Sequence, residues 1–147
     1  MGVEESIGTV MRVSATLPAT YDASGYAALS PSAVGEITGI PEFGGQAATV
    51  EHTPLADGIV QKFHGAINYG SLSVPLALDI ADAGQVILAA AFASRNRIAF
   101  EIETPDGAFM YFSGKVMSQV KRSASTTGVI SGTVMVEIET PVIDVAA

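Results

Sequence analysis

The chain has 147 residues, a formal net charge of −8 and a pI near 4.5. Its hydrophobic content of 48% is far above that of disordered chains, and its length is that of one domain. It contains no cysteine, which excludes disulfides and thiolate metal sites, and its acidity argues against a nucleic-acid grip, which needs a basic patch to displace counterions.

The acidic start Met1–Glu5 lacks the basic and apolar regions of a secretory signal. The longest apolar run, Val86–Ala93, is eight residues, against the roughly 20 of a membrane-spanning helix. A soluble protein is expected.

Thr9–Thr16 predicts a first strand. Asp22–Leu29 predicts one or two helical turns, with Asp22 as N-cap and Pro31 as the stop. Val34–Ile40 predicts a second strand, Pro41–Gly45 a turn, and Ala48–Thr53 a third strand. Pro54–Gly70 then reads as a connection of 17 residues without a clear period. Loops of that length inside a compact domain tend to be functional or disordered. This one carries Ile59, Val60, Phe63, Ile67 and Tyr69, and burying each such side chain is worth about 1.5–3 kcal/mol. It is expected to pack on something, and a neighbouring copy of the chain is the obvious candidate.

Ser71–Asp79 places Leu72, Val74, Leu76 and Leu78 on one face of a strand, and Pro75 within it points to a sheet edge or a bulge. Asp79–Ser94 predicts the one long helix, with Asp79 as N-cap, Asp82 in the first turn and Arg95 at the C-terminal end. Its body is apolar almost all round, which calls for packing on more than one side. It either lies on the sheet or also buries a second face against a neighbouring subunit.

Arg97–Thr104 alternates Ile98, Phe100 and Ile102 against Ala99, Glu101 and Glu103, and Pro105–Gly107 marks a hairpin. Phe109–Lys121 returns with Met110, Phe112, Val116 and Val120 on one face. Gly128–Thr140 sets Ile130, Val134, Val136 and Ile138 on one side, before Pro141 and a short apolar tail. About seven strands and one solid helix imply a mainly β protein, an antiparallel sandwich or small barrel with a flanking helix.

Catalytic chemistry finds little support. The histidines, His52 and His64, stand apart with no metal-ligand spacing, and no nucleophile elbow or phosphate loop occurs. Cofactors are not expected. The basic pairs are Lys121–Arg122 and Arg95 with Arg97. Two carboxylate rows remain: Glu101 with Glu103, and Glu137 with Glu139. Facing acids can hydrolyse glycosides at the right separation, but such sites usually add aromatic platforms, and tryptophan is absent. A solvated polar face or an acidic wall lining a pore are the other readings.

The ordered series Val34–Ile40, Pro41–Gly44, His52–Pro54, Gln61–Gly65 and Asn68–Gly70 continues through Leu72–Asp79 into Asp82–Gln85, then Phe100–Ile102, Pro105–Gly107 and Phe112–Met117. From about Val34 to Ile138 this series resembles the major tail tube proteins of long, non-contractile phage tails, the group that includes the lambda-like siphophages. The resemblance implies a β-sandwich with a flanking helix that forms homo-hexameric rings. The rings stack into a hollow tube, with strands of each copy joined into one barrel around a lumen that DNA traverses without specific binding. It also implies an inter-subunit role for the long connection, at Ile59, Val60, Lys62, Phe63, His64, Ile67 and Tyr69. Lumen-facing acids are expected among Glu101, Glu103, Glu137 and Glu139. The expected partners are a tape-measure protein, a tail terminator and distal tail or baseplate proteins, and the place is the virion tail, after assembly in the host cytoplasm. Three rivals stay open: the tube of a contractile injection or type VI secretion system, a monomeric carbohydrate- or partner-binding sandwich, and a hydrolase using the glutamate rows.

Overall fold

The computed structural model describes residues 5–121, 128 and 130–147. Nine strands and two helices follow in the order β1 (Val10–Ser14), α1 (Ala23–Ala27), β2 (Ser32–Ala33), β3 (Gln46–His52), β4 (Gln61–Asn68), β5 (Ser71–Ala77), α2 (Ala83–Ser94), β6 (Ile98–Glu103), β7 (Phe109–Lys121), β8 (Ser131–Ile138) and β9 (Ile143–Val145). Seven strands form one sheet in the order β2-β1-β6-β7-β8-β5, with β9 also on β7, while β3 and β4 form a separate two-stranded sheet. Every pairing is antiparallel.

β7 organises the large sheet. Its first half pairs with β6 from Phe109 to Gly114, and its second half pairs with β8 from Gly114 to Lys121. The sheet curls about this long strand, so residues from its two ends meet in one core. Met11 and Val13 of β1, Phe100 of β6, Phe112 of β7, Val136 of β8 and Leu72 of β5 belong to the same buried cluster, which Leu88 and Ala91 of α2 join. Opposite that core, α1 lays Tyr26 over Tyr111, with ring centroids 5.3 Å apart and an interplanar angle of 9°.

The expected mainly antiparallel architecture with a packed helix holds, and so do the faces of β5 and β6. Pro75 sits on the edge strand, as its missing N–H requires. Its carbonyl points away from β8 and accepts from the Thr38 amide at 3.1 Å. In an antiparallel ladder a residue's N–H and C=O point the same way, so no bond to β8 is lost.

Several local expectations fail. Val34–Ile40 is not a strand: only Ser32–Ala33 pairs with β1, and Ile37 makes a single bridge to Leu76. Glu36 between them has φ 62°, which no strand accommodates. Pro54–Gly70 is not an aperiodic connection, because Gln61–Asn68 forms β4. The N-cap of α2 is Asp82, whose carboxylate accepts the Gln85 amide at 3.0 Å, whereas Asp79 closes a preceding turn on the Ala81 amide. A bulge in β7 between Val116 and Ser118 turns Val120 to the other face, where it is exposed. Ile130 lies before β8 and is exposed. The apolar tail contributes β9. Arg122 and part of the expected Gly128–Thr140 strand lie outside the described residues.

Candidate assembly surfaces

The segment from Gln46 to Asn68 is an arm. β3 and β4 pair in register from His52↔Gln61 to Thr49↔His64, then pass a bulge to Ala47↔Ile67. Alternation gives the arm two faces. Val50, Phe63, Ala47 and Ile67 lie on one, and Glu51, Lys62, Thr49 and His64 on the other. None of the 23 residues from Gln46 to Asn68 is buried. At the tip, Asp57 accepts the Ile59 amide at 3.0 Å, and Gly58 takes φ 65° to close the turn. Leu55 is fully exposed there, beside Ile59 at 66% and Val60 at 47%.

The root is fixed by Gly70, at φ 84°, where a Cβ would run into the Gly44 carbonyl. Asn68 accepts the Gly70 amide at 2.9 Å, and Tyr69 packs against the main core. All seven residues expected to reach a neighbour therefore lie along one projecting element. Ile59 and Val60 sit at its tip, Phe63 and Ile67 on its apolar face, Lys62 and His64 on its polar face, and Tyr69 at its root. Sequence reading missed Val50 and Leu55, although Val50 stands in the alternating run of β3.

The carboxylate rows are less free than their spacing suggests. Arg12 of β1 reaches Glu101 at 2.7 Å and Glu103 at 2.6 Å. Those bonds, to Glu101 and then Glu103, raise the guanidinium pKa. Burial, and then the same two acids, push the neighbouring Tyr111 phenol up. Arg12 thus pairs with both acids of this row. Glu139 pairs with Arg97 at 3.2 Å and lies 3.8 Å from Lys115. Glu137 stands across from Lys115 on one side and Ser71 on the other. His52 and His64 fall on opposite faces of the arm. Among the described residues no group of His, Cys, Asp or Glu could hold a metal ion, and no helix is long and apolar enough to cross a membrane.

Two further surfaces lack cover. β5 ends the large sheet, and beyond the Ile37 bridge its outer margin is open to another strand. α2 turns Leu88 and Ala91 inward but leaves Val86 on its outer side and Phe92 on its flank exposed, with Ile80 exposed in the turn before it.

A curled antiparallel sheet with flanking helices and one unpacked β-arm is thus the class of molecule these residues define. No protein-family model and no curated protein sequence matches the chain. Solved structures share its fold. A chain in the tail of an empty gene transfer agent particle, computed with C6 symmetry, superposes with a TM-score of 0.72 at 14% identity, covering 98% of this chain and 100% of that one. The SPP1 tail tube gives 0.65 at 12% identity over 95% of this chain and 77% of that one. A chain of the sheath/tube terminator of an extracellular contractile injection system gives 0.69 at 10% identity, over 99% of each. At these identities what is shared is the fold.

Proposed function

We propose that the chain is the repeating structural subunit of a virion tail tube: copies join into hexameric rings, the rings stack, and the hollow tube delivers DNA to a host. The observation that carries this reading is the arm. Twenty-three residues with a distinctly apolar face and no buried member are not accounted for by the monomer. Large exposed apolar surface marks an interaction site. The open margin of β5 supports the same reading, because closing a ring removes an edge. So does the likeness of fold to subunits of a gene transfer agent tail and of the SPP1 tail tube. The row of Glu101 and Glu103 or the row of Glu137 and Glu139 is proposed to face the lumen. A tape-measure protein, a terminator and distal tail proteins are the proposed partners.

Negative-stain electron microscopy of the concentrated protein, with and without a preformed tail tip as nucleator, tests this. Rings or hollow rods are expected. A monomer under both conditions, with the arm folded onto its own body, refutes it.

A second reading has its own support. The fold is shared equally well with chains of contractile injection systems, including the anti-feeding prophage baseplate, at a TM-score of 0.68 over 99% of this chain. The exposed Val86 and Phe92 of α2 suit enclosure by a surrounding layer. Rods that stay bare in purified particles favour the non-contractile tail.

A further inference from the structure

Met11, Met110, Met117 and Met135 are the methionines among the described residues, and the fold separates them into two kinds. Met11 is 2% exposed in the main core, and Met110 is half-buried against it. Met117 and Met135 are 55% and 37% exposed. The separation follows from what covers the sheet. On the side away from the main core, α1 lies over the first half of β7, where Tyr111 and Ser113 are buried beneath Tyr26. That cover does not continue along the strand. The outward residues beyond it, Ser73 of β5, Thr133 and Met135 of β8, and Met117 and Val120 of β7, are all exposed or half-buried.

The two exposed thioethers are neighbours on that uncovered face. Met135 pairs with Ser118, and Met117 next to Ser118 is the residue that the β7 bulge leaves without a partner on β8. Opposed residues of paired strands have Cβ atoms about 4.5–5.5 Å apart, so positions 117 and 135 adjoin. The chain has no cysteine and no tryptophan, which leaves thioethers as its most readily oxidised side chains.

We infer that Met117 and Met135 form a reversible oxidation site, at which a hydroperoxide converts both to sulfoxides while the fold stays intact. The sulfur attacks the terminal peroxide oxygen, the O–O bond breaks and an S–O bond forms. The proton of that oxygen passes to the departing alkoxide or hydroxide, which leaves as alcohol or water. Sulfur is oxidised and the peroxide is reduced. Two thiols of a sulfoxide reductase reverse the step, taking the oxygen off as water and closing to a disulfide. A thioether is apolar and a sulfoxide is polar. The patch of Met117, Val120 and Met135 therefore gains two S–O dipoles, and this face of the sheet changes character with redox state. The site lies apart from the arm and stands or falls independently of the tube reading.

Time-resolved peptide mass mapping of the dilute folded protein in hydrogen peroxide tests it. Sulfoxides are expected at Met117 and Met135 at least about 10-fold faster than at Met11, with Met110 between. The melting temperature of the doubly oxidised chain is expected to stay unchanged, and a methionine sulfoxide reductase with a dithiol is expected to restore the original mass. Met117→Leu/Met135→Leu keeps the side-chain volumes close and should abolish the fast phase. Equal rates at all four methionines overturn the site, as does fast oxidation that appears only once urea unfolds the chain. A fast phase that survives the double variant overturns it too. The mapping is done on the unaltered chain, so it decides the matter even where the double variant misfolds.

Discussion

Phe63 and Lys62 offer the sharpest separation between folding and assembly. Phe63 is 53% exposed in the single chain, so about half of its area is left for a partner to cover. Full burial of such a side chain is worth about 1.5–3 kcal/mol, so the missing half contributes about 1 kcal/mol. A surface ion pair from Lys62 adds about 0.2–1 kcal/mol. The double variant Lys62→Ala/Phe63→Ser therefore weakens each arm contact by about 1–2 kcal/mol, roughly 5- to 30-fold in its equilibrium constant. Each copy added to a growing tube makes such a contact, so the critical concentration for growth rises by about that factor. Inside the monomer Phe63 stands opposite Val50 across the ladder, a pair worth about 0.2–1 kcal/mol, so the melting temperature should fall by no more than about 4 °C. Light scattering against concentration and calorimetry of the dilute protein measure the two effects. An unchanged critical concentration refutes the assignment of the arm, and a large loss of monomer stability shows that Phe63 serves the core instead.

Other variants test how the body holds the arm and its acids. Gln85 is buried, donates to the Gly35 carbonyl at 3.1 Å and the Ala77 carbonyl at 2.9 Å, and accepts the Asp79 amide at 3.0 Å. Gln85→Leu strands all three and should cost about 2–4 kcal/mol in urea unfolding. Thr140→Val strands the Ser113 amide, held at 2.9 Å, and should cost about 1–3 kcal/mol, more than Tyr26→Phe, which gives up hydroxyl bonds to Ser113 at 2.8 Å and Thr140 at 3.5 Å but strands no backbone group. The Asp22 carboxyl is held below its usual range by the Gly25 amide, and then by the Thr20 hydroxyl. Its stabilisation is therefore complete above the ordinary aspartate value and is lost as pH falls through the lowered one. The gap in melting temperature between the protein and Asp22→Ala should be open at neutral pH and closed in strong acid. Glu137→Lys breaks none of the ion pairs described above, so any change in DNA ejection rate is a charge effect. Reversing Glu101 or Glu103 also breaks the Arg12 clamp and should lower stability as well.

The sequence pattern made the core strands legible because each carries a run of alternation long enough to outweigh its exceptions. Ile98, Phe100 and Ile102 face the core as their spacing predicts, and of the edge or bulge that Pro75 pointed to the structure has the edge. The pattern failed where one residue changes the register. The β7 bulge sends Val120 outward, and nothing in the composition of Val116–Val120 marks it. β4 was hidden for another reason. Its period-two face reads Phe63, Gly65, Ile67, and the glycine breaks the apolar series. A Cβ at Gly65 would press on the Ala48 carbonyl at 3.0 Å, so the residue that obscures the strand is the one that admits its partner. The apolar demand of that segment was legible without its structure. The open groove beside the arm's root was not, because its walls come from residues as distant as Ile7 and Val142, which only the fold brings together.

The net charge also reads differently once its partners are placed. The Glu101, Glu103 and Arg12 cluster carries one net negative charge, while Arg97 and Lys115 outnumber Glu139 beside it. Adding Glu137 leaves the second row close to neutral. A pore wall built on the Glu137 and Glu139 face would thus not expel DNA by strong repulsion. It would lack the surplus of lysine and arginine that counterion release needs to hold a phosphate backbone. Passage requires only that nothing along the path bind, and a compensated wall meets that condition while keeping mutual repulsion between neighbouring copies low. The same economy is visible on the arm, where the single cation Lys62 stands across from Glu51. At the tip beyond it the exposed bulk is apolar, Leu55, Ile59 and Val60 beside the one carboxylate of Asp57, and the attraction of such side chains is not screened by salt.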